Sequence, residues 1–169
     1  MGRFLSKKEL FIGKINGRIS SLFYPNIENG SSLIGCKIFD KRKLFLGASS
    51  LLYNCRIRIC TDSKYVKIGK GCRIENNVLL NAHTGYIELG NKSFIGPNTI
   101  IQGFGGVKVG NDVMIAGNCF ISSSNHLFEN VKPERFLKDE EGKETEIGSN
   151  TWIGSNVTIV AGVKIGERC

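Results

Sequence analysis

The chain has two histidines, His83 and His126, so chemistry that needs a group titrating near neutral pH falls to one of them. His126 closes the run Ser122-Ser123-Ser124-Asn125-His126 and directly precedes the most charged stretch of the chain, 127–146. An imidazole in that position could take the proton of an acceptor held under the charged segment. Asn125 could orient the imidazole or the acceptor, and Glu129 could serve as an acidic partner. The plain alternative is a surface histidine at a turn, and the three serines could equally be turn residues rather than nucleophiles. Six cysteines, Cys36, Cys55, Cys60, Cys72, Cys119 and Cys169, form no C-x-x-C pair. That spacing argues against a zinc knuckle or a thioredoxin-like centre.

The elements that must position these residues follow from a repeat. Aliphatic residues recur every six positions: Ile68, Ile74, Leu80; Leu89, Ile95, Ile101; Val109, Ile115, Ile121; and Ile147, Ile153, Ile159, Ile165. Three residues after an aliphatic, positions 71, 77, 98, 112, 118, 150, 156 and 162 are all Asn, Asp or Gly. These types tolerate the left-handed backbone of a tight corner. Four residues after it stands a compact residue, as at Cys72, Val78, Thr84, Val113, Cys119, Asn125 and Cys169. A strict period of six fits neither an amphipathic helix nor a hairpin. Each hexad predicts a short strand, a corner and a small inward residue, with three hexads to a coil and coils stacked about 4.8 Å apart. Three of the cysteines, Cys72, Cys119 and Cys169, then fall on inward positions. Glycine at 21 of 169 residues, with 29 Ile and Val against 4 Ala, suits a fold of short strands.

The length is that of one domain. Residues 1–30 do not repeat and predict a cap segment. Ser6 with Glu9 resembles a capping box, and Leu10, Phe11, Ile15, Ile19, Leu22 and Phe23 fall near one helical face. Residues 31–169 predict the solenoid, with 127–146 thrown out from one corner as a loop. The net charge of +8 is uneven. Residues 1–74 hold 15 Lys and Arg against 4 Asp and Glu, and residues 75–169 hold 8 against 11. The basic half predicts either an anionic partner, including contact with a membrane surface, or a solvated basic face. No apolar run approaches the roughly 20 residues of a membrane span. No secretion signal is evident either, so a cytoplasmic location is expected.

The hexads, Asn125-His126, the charged loop and Ile147-Gly148-Ser149-Asn150-Thr151-Trp152-Ile153-Gly154-Ser155-Asn156 resemble the hexapeptide-repeat acyltransferases, above all the small bacterial sugar and polysaccharide O-acetyltransferases. The resemblance spans roughly residues 66–169, and more loosely 33–65. It implies an all-β fold, a left-handed parallel β-helix; periodicity alone leaves the handedness open. It implies direct acetyl transfer from acetyl-CoA to a sugar hydroxyl of a surface polysaccharide or its precursor, with His126 as general base and no metal or nucleic acid. Trp152 would lie beside the acyl-CoA, the Ser155 backbone N–H would face the thioester oxygen, and Gly154 and Ala161 would add cofactor contacts. It also implies a homotrimer with each site between neighbouring β-helices. Such relatives continue for another coil or two past the point equivalent to Cys169, so the expectation is either that the chain is truncated there or that its CoA site is incomplete.

Two alternatives stay open. One is N-acetylation of a nucleotide-linked amino sugar; the other is a β-helix scaffold without catalysis. A three-histidine zinc site, as in β-helix carbonic anhydrases, is set aside because His83 and His126 are two coils, or about 9.6 Å, apart and metal–nitrogen bonds are about 2 Å. Gly103-Phe104-Gly105-Gly106 is not a dinucleotide fingerprint, since no helix is predicted after it.

Overall fold

A computed structural model describes residues 10–11, 26–127 and 140–169. Among these residues the regular structure is short strands and one 3-10 turn, Lys41–Lys43. The strands form a parallel β-solenoid of six coils with three faces. The first face stacks Ser32–Ile34, Leu51–Tyr53, Arg73–Ile74, Phe94–Ile95, Met114–Ile115 and Trp152–Ile153. The second stacks Lys37–Phe39, Arg56–Arg58, Leu79–Asn81, Ile100–Gln102, Phe120–Ser122 and Thr158–Ile159. The third stacks Leu44–Leu46, Tyr65–Ile68, Tyr86–Leu89, Val107–Val109, Thr145–Ile147 and Lys164–Ile165.

The six-residue period becomes a core because one aliphatic per strand points inward. Leu33, Leu52, Ile74, Ile95, Ile115 and Ile153 line the first face, and Ile38, Ile57, Leu80, Ile101, Ile121 and Ile159 the second, all buried. Each such side chain contributes about 1.5–3 kcal/mol on leaving water. The corners follow the sequence closely. Gly71, Asn77, Asn98, Asp112, Asn118, Asn150, Asn156 and Gly162 all have φ between +54° and +82°.

At one corner the small inward residues form a ladder. The side chains of Ser31, Ser50, Cys72 and Ser93 donate to the carbonyls of Gly47, Gly69, Gly90 and Gly110 in the next coil, at 2.8–3.0 Å. At the next corner Thr99 and Cys119 donate to the Ala116 and Gly154 carbonyls, at 3.1 and 3.2 Å. A small polar residue here satisfies a carbonyl that would otherwise be buried without a donor.

Three expectations are corrected. Thr84 and Asn125 are exposed rather than inward, because the corner between the second and third faces is wider than a hexad and turns outward. Cys169 is also exposed, since the described stack ends at its coil. Leu10–Phe11, expected on a helical face, is a strand antiparallel to Lys37–Ile38. There it pairs with the open edge of the first coil, whose backbone groups need a partner. The remainder of the cap expectation lies outside the described residues. Regular coiling begins at Ser32, well before the clearest hexads.

Candidate functional site

The wide corner between the second and third faces carries both histidines. In one coil it presents His83, in the next Phe104, and in the third Ser124–His126. His83 has φ +48°, its Nε2 lies 2.8 Å from Asn81 Nδ2, and its ring centroid is 6.2 Å from that of Phe104. It is half-buried and tied into the corner.

His126 and Asn125 leave the coil on a short strand, Ser124–His126, that pairs antiparallel with Glu140–Gly142. The register sets Ser124 opposite Gly142, Asn125 opposite Glu141 and His126 opposite Glu140. Asn125 and His126 are both exposed. Glu129 lies outside the described residues. The acidic residues that the fold brings level with Asn125 and His126 are Glu141 and Glu140, from the returning arm of the charged segment. Sequence spacing had no means of aligning residues so far apart.

The serines before the ribbon are structural. Ser123 is fully buried, donates to the Gln102 carbonyl at 2.9 Å, and its own carbonyl accepts from the N–H of Lys143 at 2.9 Å. Ser122 Oγ donates to the Ser124 carbonyl at 3.1 Å and accepts from the Ser124 N–H at 3.2 Å. The glycine run beneath them is explained by close approach. A Cβ on Gly105 would stand 2.5 Å from the Lys143 nitrogen and 2.6 Å from the Gly142 carbonyl carbon. The returning arm therefore lies directly on the backbone at 105, which any side chain would lift off.

A second cluster, with no signature in the repeat, holds the root of that arm. Tyr86 donates its hydroxyl to Glu144, and Lys108 Nζ lies 3.1 Å from the same carboxylate. Burial and the neighbouring Glu146 raise the Glu144 carboxyl above its ordinary value. Tyr86 stacks on Tyr65 at 5.4 Å, and Tyr65 donates to Glu88 at 2.6 Å. That bond first, and then burial, push the Tyr65 phenol up to about 12. Around the cluster Lys67, Glu88, Lys108, Glu146 and Lys164 face one another in register, alternating in sign along the third face. Opposite charges at directly facing positions stabilise a sheet.

The residues expected to meet acyl-CoA are split. Trp152 projects from the first face, 69% exposed, in register with Met114. Ser155 is exposed at the corner between the first and second faces, and a Cβ on Gly154 would meet nothing within 4 Å. Ala161, half-buried, lies at the corner shared with His126. One chain therefore groups His126, Asn125 and Ala161 on one edge of the prism, and Trp152, Gly154 and Ser155 on another. Among the described residues no three His, Cys, Asp or Glu side chains gather as for a metal ion.

The coils and corners define a parallel β-solenoid of hexapeptide repeats. Two sequence families match it: hexapeptide repeat of succinyl-transferase over residues 86–123, and bacterial transferase hexapeptide (six repeats) over residues 144–169. Both segments thus carry the hexapeptide repeat of bacterial transferases, on a parallel β-solenoid. Among solved structures it is similar to a point mutant of AntD, an N-acyltransferase from Bacillus cereus in complex with dTDP and coenzyme A. The identity is 20% and the TM-score 0.43, over 68% of this chain and 65% of that one. The chain thus spans just under two thirds of that protein's length. No curated protein matches it.

Proposed function

We propose that the chain is a coenzyme A-dependent acyltransferase that moves an acetyl group from the thioester to a sugar, with His126 as general base. The observation that carries this reading is the exposed Asn125-His126 ribbon, which leaves the coil where the hexad geometry widens and rests on a glycine platform. The imidazole takes a proton from the acceptor as the acceptor attacks the thioester carbonyl. The backbone N–H of Ser155 steadies the oxyanion, and the departing thiolate recovers the proton from the imidazolium. Because His126 and the Trp152–Ser155 edge are separate within one chain, the site is completed by a second copy in a homotrimer. Acetyl-CoA as donor puts the reaction in the cytoplasm.

The acceptor is a nitrogen or an oxygen of a sugar, and the same base serves either. Amino sugars carried on a nucleotide head the panel, and polysaccharide hydroxyls follow. The test is chromatographic detection of CoA and acylated product from acetyl-CoA over both acceptor classes. His126→Ala is expected to lower kcat about 10²–10⁴-fold, the usual contribution of a positioned base, with the fold intact. Turnover unchanged in that variant removes His126 from the mechanism. Absence of turnover with every acceptor, together with no binding of acetyl-CoA, replaces the enzyme reading by the scaffold one.

A further inference from the structure

Two cysteines outside this site stand in register on adjacent coils. Ile34 is level with Tyr53 and Lys37 with Arg56, so Cys36 and Cys55 face each other at the corner between the first and second faces. Both are 1% exposed, and both are thiols. Their sulfurs lie 3.3 Å apart, with Cys55 donating to Cys36. Stacked parallel strands are about 4.8 Å apart, inside the roughly 4.4–6.8 Å Cα separation that a disulfide spans. Closing the bond needs movement of the sulfurs and little of the backbone.

The position itself does not demand sulfur. The next coils place Val78 and Thr99 there, both buried. Cys72 and Cys119 lie on inward positions whose neighbours in register are not cysteine, and Cys60 and Cys169 are exposed. Among the described cysteines, this pair alone is both aligned and in contact.

We propose that Cys36 and Cys55 are an oxidation site, at which a peroxide converts the dithiol to an intrachain disulfide that ties the first coil to the second. The Cys36 thiolate attacks one oxygen of hydrogen peroxide; the O–O bond breaks, and hydroxide leaves to become water. Cys55, giving up its proton, attacks the resulting Cys36 sulfenic acid. The S–S bond forms as the S–O bond breaks, and a second water leaves. Two thiols and one peroxide give one disulfide and two waters, with the peroxide taking both electrons. Donation from Cys55 holds Cys36 below a thiol's ordinary value, against the opposing effect of burial. The same bond, with burial, pushes Cys55 up. Cys36, one coil nearer the end of the stack than Cys55, is the thiol that gives up its proton and attacks first. It lies in the first coil, and a solenoid, whose units touch only their neighbours, opens from its ends. Release of the Leu10–Phe11 strand, which pairs with Lys37–Ile38 beside Cys36, is the opening that admits the peroxide.

The test treats the reduced full chain with hydrogen peroxide, unfolds it in an alkylating reagent, and maps every cysteine by peptide mass spectrometry. A Cys36–Cys55 linked peptide, two hydrogens lighter than the thiol pair and reversed by dithiothreitol, is expected. Amide exchange over residues 32–58 should slow about 30-fold, as for a disulfide of ordinary strength. Cys55→Val, the residue type present one coil on, should abolish both effects. If that variant fails to fold, the wild-type map decides alone. Cys36 and Cys55 recovered as free thiols while Cys60 is oxidised, or oxidised singly to sulfinic acid, overturns the proposal. So does a link to any other cysteine, or a linked peptide without slower exchange. None of these readouts depends on the acyltransferase reading.

Discussion

Tyr86 reaches across an entire coil to give its hydroxyl to Glu144. The ring crosses the backbone at Gly106, which has φ +103°, and a Cβ there would stand 2.6 Å from two ring carbons. Gly106→Ala is therefore wrong twice: a side chain is forced into an unfavourable backbone region, and it strikes an aromatic ring with little room to move. The expected cost is about 2–4 kcal/mol, read as a lower denaturant midpoint at unchanged slope. A change within about 0.5 kcal/mol would mean that the ring does not lie over this glycine.

Tyr86→Phe keeps the ring and removes only the hydroxyl. Glu144 then retains Lys108 but loses one charged hydrogen bond, at a cost of about 1.5–3 kcal/mol. The bond holds the root of the arm that pairs with Asn125 and His126. Exchange of the Glu140–Gly142 amides should accordingly quicken more than that of the Ile100–Gln102 amides one coil away. Equal quickening of both would make Tyr86 a general stabilising residue rather than a support of the ribbon.

The repeat was legible because a solenoid writes its contacts locally. Ile95 faces its own coil's core whatever happens far along the chain, and Asn98 declares a corner by its tolerance of a φ of +60°. His126 could be singled out by type and by its place before a charged stretch. What pairs with it could not. Glu140 comes level with His126 only after the intervening segment returns, and no local spacing encodes that register. Tyr86, Gly106 and Glu144 were silent for the same reason, being joined across coils at outward positions that the hexad leaves unspecified. Thr84 and Asn125 were misread because the period was carried through the one corner that breaks it.

The inward donors make a second kind of test. Thr99 Oγ1 donates to the Ala116 carbonyl at 3.1 Å and accepts from the Cys119 N–H at 3.3 Å. Thr99→Val is nearly the same shape, so packing is kept while a buried carbonyl and N–H lose their partner. Destabilisation of about 1–3 kcal/mol is expected. Val157→Thr, at the same corner two coils on, should be tolerated far better than its hydropathy suggests. If both changes are neutral, the ladder follows from residue size alone.

Alkaline pH acts through Tyr65. Its folded-state value of about 12 lies above the ordinary 10, chiefly because it donates to Glu88. The protonated phenol is thus favoured by folding. The stability it contributes is whole below pH 10 and is lost as pH rises through 12. Denaturation midpoints should fall between pH 10 and 12 in the wild type, and fall less in Tyr65→Phe. Ultraviolet titration should show one phenolate step at about 12 that this variant lacks. Identical midpoint profiles for the two proteins would rule out the Tyr65–Glu88 bond.

Trp152 reports on the other half of the proposed site. It is the one tryptophan of the chain, 69% exposed, and Met114 beside it is 52% exposed. A bulky aromatic left in water on a rigid strand suits a ligand that stacks on it. Acetyl-CoA should therefore shift its emission to the blue and protect it from acrylamide, without any added fluorophore. Trp152→Ala should raise KM for acetyl-CoA about 3–10-fold, the worth of one aromatic contact, while kcat and the denaturation midpoint stay close to wild type. Emission and quenching that ignore acetyl-CoA, in a preparation that turns over, would move the cofactor to a different edge of the prism. Protection already present without ligand, and dependent on protein concentration, would instead mean that another copy of the chain covers the indole. The emission should then separate cofactor contact from subunit contact in one titration, because only the first saturates with acetyl-CoA.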